Sequence, residues 1–312
     1  MSFIDRIIAA AEQGDAKVQC SLARRYRTGL GVSRDPQKEA AWYRKAAEQG
    51  DAGAQCSLGD MYSDGRGLPQ NFRQAAIWYR KAAKQGDSWA QFKLGDMYLH
   101  GKGVQQDDQK AASWLRKAAM QNDFDAQFKL GDMYRYGRGV LQDDYQAVSL
   151  FRKAAEQGHA AAQYNLGEMY RLDLGVSRNA RPNYSENSQQ KLYWCRLAAE
   201  QGHADAQFDL GSYEAFDTEA GVFDSRRGEP WYRLAAEQGH ATAQQVLGDM
   251  YFEGRGVQQD DQQAYAWSYS AAVNGRSHAL EMCDRVAKRL TSAGLAQAQA
   301  LAAQYVKQYQ PQ

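Results

Sequence analysis

The chain has 312 residues, with 38 basic against 37 acidic side chains and a formal net charge of +1 at pH 7. That balance offers no general field for nucleic acid or anionic lipid. No apolar run approaches the ~18 residues of a membrane span, and four cysteines are too few for a disulfide framework.

The N-terminal stretch "MSFIDRIIAAAEQG" is interrupted by Asp5 and Arg6, and no positive residue precedes it. It does not read as a secretory signal. Residues 1–14 are predicted as an N-terminal capping helix, and the protein as cytoplasmic.

From there the chain repeats itself. "AAEQG" or a close variant ends at Gly14, Gly50, Gly86, Asn122, Gly158, Gly202, Gly239 and Gly275. The interval is 36 residues up to Gly158, then 44, 37 and 36. Seven units follow: 15–50, 51–86, 87–122, 123–158, 159–202, 203–239 and 240–275. A period of this size means a solenoid, a propeller or an array. Period-2 alternation is absent, and helix signals fill each unit. In the third, Asp87 can cap a first helix, "SWAQFKLGDMY", whose Ala90, Leu94, Met97 and Tyr98 share one face. The glycines of "GKGV" end it, and "QKAASWLRKAAMQ" supplies a second helix with Ala111, Trp114, Leu115 and Ala118 at spacings of three and four. The fold class is all-α: a superhelical α-solenoid of seven helix-turn-helix repeats, without a sheet. Residues 276–312 supply C-terminal capping helices, the last capped by Thr291 with Leu295, Leu301, Tyr305 and Tyr309 broadly on one side.

The pattern "AxAQFxLGDMYxxGxGVxxDxxxAxxWxRKAAxQG" resembles the Sel1-like repeat, a relative of the tetratricopeptide repeat. The resemblance covers nearly the whole chain. It implies stacked helix pairs that bind other proteins in a concave groove, and it implies no catalytic residues. A secreted branch of that family pairs cysteines inside each repeat. Here Cys20 and Cys56 stand in one column of adjacent units, too far apart for a bridge, so free thiols are expected. No nucleophile elbow, phosphate-binding loop or paired metal motif is present; the "GRG" and "GKG" pairs lie between helices and read as turns. The chain reads as no enzyme, without cofactor or metal.

Several columns invite a structural reading. His159, His203 and His240 occupy the place of Asp15, Asp51, Asp87 and Asp123 at the start of each first helix, where capping explains them better than metal does. Trp42, Trp78, Trp114, Trp194, Trp231 and Trp267 read as core between units. Gln19, Gln55, Gln91, Gln127, Gln163, Gln207 and Gln244 recur without exception, which predicts a buried bond between adjacent helices.

The opposite face of the first helices is the candidate partner site. Its aromatic column is Phe92, Phe128, Tyr164 and Phe208, which inter-repeat stacking explains as well as binding does. An acidic column holds Asp60, Asp96, Asp132, Glu168 and Asp249, with Asp132–Arg135 and Glu168–Arg171 as local pairs. Trp89 lies on the flank, and Tyr136 adjoins Arg135. Asp96, Asp132 and Glu168 would form a negative stripe for a basic segment, unless the column is only a solvated face. Residues 177–190 and the irregular sixth unit, where Pro230 should kink or delay the second helix, are either a specificity element or decay. The leading function is a non-enzymatic protein-binding scaffold or adaptor, bacterial by resemblance, with no nucleic-acid or membrane partner. The alternative is an immunity protein that neutralises a cognate secreted toxin; an effector acting on a host comes third.

Overall fold

The computed structural model describes residues 3–176, 184–217 and 222–311, which form two compact units, Met1–Gln157 and Gly158–Gln312. In the first unit α1 (Phe3–Glu12) is followed by four hairpins: α2 (Ala16–Thr28) with α3 (Pro36–Glu48), α4 (Ala52–Asp64) with α5 (Phe72–Lys84), α6 (Ser88–His100) with α7 (Asp108–Met120), and α8 (Phe124–Tyr136) with α9 (Asp144–Glu156). The second holds α10 (Ala160–Arg171) with α11 (Tyr184–Glu200), α12 (Ala204–Ala215) with α13 (Ser225–Glu237), and α14 (Ala241–Glu253) with α15 (Asp261–Val273). Two further helices, α16 (Ala279–Ala287) and α17 (Ser292–Gln308), pack against α15. Within each unit successive hairpins stack, so the repeats build a helical solenoid.

Caps set the register of each repeat. Asp51, Asp87 and Asp123 accept the backbone N–H of Ala54, Ala90 and Ala126 at 2.7–2.8 Å. His159, His203 and His240 do the same through Nδ1 at 3.1–3.3 Å. Capping, as expected, is what this column does. At the other end of the first helix, Gly101 takes a left-handed φ of 66°. Gly103 follows at φ 70°, and a Cβ there would lie 2.2 Å from the Phe72 carbonyl oxygen of the preceding repeat. The turn is tight because two repeats touch at it.

The glutamine column does what its invariance predicts. Gln55 on α4, 4% exposed, donates Nε2 to the Ala47 carbonyl in the last turn of α3, at 3.0 Å. Its Oε1 accepts from Gln85 Nε2, at the C-cap of α5, at 2.9 Å. Gln19, Gln91, Gln127, Gln207 and Gln244 donate in the same way to the alanine eight residues earlier. All seven accept from the C-cap side chain of their own second helix. Gln19, Gln55, Gln91, Gln127, Gln207 and Gln244, with both bonds, therefore each join three consecutive helices.

The tryptophans are less central than expected. Trp42, Trp78 and Trp267 are buried, but Trp114, Trp194 and Trp231 are only half-buried. Lys45, Lys81 and Lys117 lay their ammonium groups over the rings of Trp42, Trp78 and Trp114 at 3.9–4.2 Å. These rings partly face outward, where a cation can lie on the π face. The deep core is the next residue along: Tyr43, Tyr79, Leu115, Phe151 and Tyr232 are 3% exposed or less. Each of the last four packs onto a glycine of its own first helix, so that a Cβ on Gly59, Gly95, Gly131 or Gly211 would come within 2.9 Å of it. Glycine at this column lets the two helices of a hairpin close.

Two local expectations are corrected, and a third falls partly outside the described residues. The α13 helix has an ordinary 13 residues and starts at Ser225, with Pro230 inside it, so the proline neither delays nor shortens it. The sixth unit carries a two-residue antiparallel ladder, β1 (Phe216–Asp217) with β2 (Val222–Phe223), where a sheetless turn was expected. Of the 177–190 insertion, residues 177–183 lie outside the described residues, while 184–190 lengthen α11 to 17 residues. At the end of the chain Thr291 caps α17, as predicted, by accepting from Gly294 at 3.1 Å.

A pair of substitutions tests the hairpin joint. Gly95→Ala should destabilise by about 1–3 kcal/mol through overpacking on Leu115, although alanine favours a helix over glycine by roughly 1 kcal/mol. Gly53→Ala, where a Cβ would meet only the Asp51 carboxylate at 3.4 Å, should stabilise. Urea unfolding of both variants checks the opposite signs.

Candidate functional site

The candidate face is carried by the first helices of each solenoid unit. In the first unit Trp89 is 42% exposed. Its ring lies tilted against Phe92 with centroids 5.4 Å apart, its Nε1–H donates to Asp60 at 3.3 Å, and Lys93 lies 4.5 Å from its centre. Phe92 itself is 8% exposed and belongs to the core, which removes it from the accessible surface. Phe128 is half-buried, its ring 6.0 Å from Phe151. Tyr136 is 68% exposed beside the Arg135 guanidinium, 5.2 Å from its ring.

In the second unit the aromatic column is turned inward to the next cap. Tyr164 stacks on His203 at 4.7 Å, and Phe208 stacks on His240 at 4.9 Å. At the start of the first unit the same column holds cysteine, and the Cys20 thiol lies 3.6 Å from the Asp51 cap. Stacking between repeats thus accounts for Tyr164 and Phe208. Burial pushes the Cys20 thiol to about 11 and the Cys195 thiol to about 12, and all four cysteines are free.

The acidic column is not a bare negative stripe. Asp60 accepts the Tyr79 hydroxyl at 2.7 Å. Asp96 pairs with Lys129 at 2.9 Å and with His100 at 3.4 Å. Glu168 binds Arg171 at 2.6 Å, as expected, and Lys191 stands 3.7 Å away. Burial raises the carboxyls of Asp132 and Asp249, while Arg135 and Lys129 draw Asp132 back down. Carboxylates paired in this way leave less field for a basic segment than a row of solvated acids would.

Two of the concavities on these first helices include candidate residues. In the first unit a notch of about 290 Å³ is lined by Leu99, His100, Lys129, Asp132, Tyr136 and Arg138 among others. In the second unit a cleft of about 280 Å³ lies between α10, α11 and α12, with Arg171, Lys191, Leu192, Cys195 and Asp209 on its walls. Of the candidate residues, Asp132 and Tyr136 reach the first and Arg171 the second. Lys191, Cys195 and Asp209 were not anticipated. Their signal was present in the repeat columns: Lys191 stands where Ala75, Ala111 and Ala147 stand, and Cys195 where Tyr79, Leu115 and Phe151 stand.

Among the described residues no group of His, Cys, Asp and Glu is arranged to hold a metal ion, and no helix is long and apolar enough to cross a membrane. The Sel1 repeat model matches residues 16–51, 52–87, 90–123, 124–159, 160–181, 192–203, 204–240 and 241–275. The chain belongs to the Sel1 repeat family. Matches 160–181 and 192–203 fall on the two ends of the long fifth unit. No curated protein matches the sequence. Among solved structures, a Sel1 repeat protein from Oxalobacter formigenes is 34% identical over 90% of this chain and 78% of its own, with a TM-score of 0.73. The uropathogenic Escherichia coli protective antigen c5321 is 32% identical over 97% of this chain and 79% of its own, with a TM-score of 0.46. The Pseudomonas aeruginosa immunity protein Pa5087 is 20% identical over 75% and 81% respectively, with a TM-score of 0.41.

The His203 cap of this Sel1 repeat protein carries a pH dependence. Only a neutral imidazole can accept the Ala206 N–H at Nδ1. Burial holds His203 below its ordinary value of 6.5. The folded state then binds fewer protons, so the cap's contribution is complete above about pH 6.5 and falls as the pH drops below it. Asp205, held below its ordinary 3.8 chiefly by its hydrogen bond to His240, keeps its charge throughout that window. Hydrogen exchange corrected for intrinsic rates should show protection in α12 falling between pH 7 and pH 5, and α4, capped by Asp51, unchanged. His203→Asn, a cap indifferent to pH, should abolish the difference.

Proposed function

We propose that this Sel1 repeat protein is a non-catalytic scaffold or adaptor that binds a protein partner through the exposed faces of its first helices. Sel1 repeats typically mediate protein–protein interaction. One observation carries the reading to this chain. The framework columns are repeated from unit to unit, whereas the outward columns that hold Trp89 and Tyr136 change from repeat to repeat. Trp89, Tyr136 and Arg171 are side chains of the types enriched at binding hot spots. They are 42%, 68% and 48% exposed. The four buried free thiols support a reducing, cytoplasmic setting. The narrower alternative, an immunity protein against a cognate secreted toxin, uses the same surface and is separated by the identity of the partner.

Affinity capture from the native source, followed by surface plasmon resonance with the captured partner, tests the proposal. Trp89→Ala with Tyr136→Ala should speed dissociation roughly tenfold or more if these rings are anchors. Asp96→Asn should alter association and its salt dependence more than dissociation. A toxin as partner would select the immunity reading. Unchanged rates in the folded aromatic variant would remove the first-unit face from the interface.

A further inference from the structure

The cleft between α10, α11 and α12 is built by two departures from the repeat. In the second, third, fourth and sixth repeats the residue after the tryptophan column is Tyr79, Leu115, Phe151 or Tyr232, and its side chain covers the glycine of its own first helix. In the fifth repeat that residue is Cys195. A Cβ on Gly167 would meet the Lys191 carbonyl at 3.3 Å and backbone or Cβ atoms of Trp194 and Cys195, but no ring. The Cys195 thiol instead points at the Ala206 carbonyl, 3.3 Å away. A side chain's worth of core is missing here. The seventh repeat also has a small residue, Ser268, but there Gly248 closes onto it: a Cβ would come 2.4 Å from its hydroxyl oxygen. In the fifth repeat the gap stays open as a cleft of about 280 Å³.

The second departure settles the charge at the rim. Lys191 replaces a core alanine, and its ammonium sits 3.2 Å from Asp209 and 3.7 Å from Glu168, which also binds Arg171. Asn187 donates to Asp173 at 2.9 Å. The charged groups at the mouth are thus engaged with one another. Behind them Leu192, Cys195 and Leu210 make an apolar wall, with Tyr170 and Tyr213 beside it. A charged occupant would have to break these pairs, whereas a neutral ring loses nothing by leaving them intact.

We propose that this cleft is a pocket for an aromatic side chain supplied by the protein partner, in place of the ring that the fifth repeat lacks. The inference rests on the protein-binding reading above and names one anchor for it. Its test needs no partner. p-Cresol, a tyrosine side-chain surrogate, is titrated into the full-length ¹⁵N-labelled protein. Saturable shifts are expected at the amides of Leu192, Cys195, Leu210 and Tyr213. 3-Methylbutan-1-ol, an aliphatic probe, should bind less tightly. Cys195→Phe, which restores the pattern of the fourth repeat, should weaken p-cresol binding roughly tenfold or more while keeping a dispersed spectrum. Cys195→Leu, the third repeat's residue, gives the same readout if phenylalanine disturbs the fold. The proposal is overturned by absence of saturation in the wild-type protein, by equal binding of the aliphatic probe, or by undiminished binding in the folded variants. Shifts of the same amides with protein concentration alone would also overturn it, since the occupant would then be a second copy. Any of these leaves partner capture by the first-unit face intact, so the two readings fail separately.

Discussion

The structure depends on a buried amide. Six of the column's glutamines each donate to the helix before them and accept from the helix after them, as Gln91 does between the Ala83 carbonyl and Gln121. A buried hydrogen bond contributes only about 0.5–1.5 kcal/mol net. Leaving its partner unsatisfied costs roughly 1–3 kcal/mol, and that asymmetry selects one stacking geometry. A slip between hairpins would strand an amide and two carbonyl or amide partners in an apolar interior. The second solenoid unit ends on the same device: Gln244 and Asn274 both donate to the Tyr309 carbonyl as the chain leaves α17.

Because the joint is made by a few positions, the rest of each repeat is free to vary. The variation is coupled across neighbours. Before the Asp51 cap the facing residue is Cys20; before the His203 and His240 caps it is Tyr164 and Phe208, which stack on the imidazoles. The Lys129–Asp96 pair likewise spans two repeats. In the next pair of first helices of the second unit the sign is exchanged, with Asp209 in the column of Lys129, and Lys191 rises from the second helix to meet it.

Much of this was legible in the sequence. The period, the helix pairs, the caps and the glutamine joint follow from columns that each carry one kind of chemistry, because a repeat has to solve the same packing problem every time. Exposure was less legible. The sequence places Phe92 on the outer face of its helix, yet the neighbouring repeat covers it to 8%. It also places the tryptophans in the core, although the hairpin closes on the adjacent residue, against glycine, and leaves Trp114 to a lysine. Helical periodicity fixes direction within one helix and says nothing of how far the next helix reaches. The charge balance of the acidic column was legible in part: Arg171 lies three residues from Glu168, whereas Lys129 reaches Asp96 from the next repeat. The cleft was missed because it is made by what Cys195 lacks.

Exchange of the glutamine side-chain amides tests the central claim most directly. In a ¹H–¹⁵N spectrum of the full-length protein, the Nε2 protons of Gln55, Gln91, Gln127, Gln207 and Gln244 should exchange with water far more slowly than those of the exposed Gln189, and should report unfolding of their own repeats. Exchange of these buried amides at the rate of Gln189, in a protein whose backbone remains protected, would contradict it.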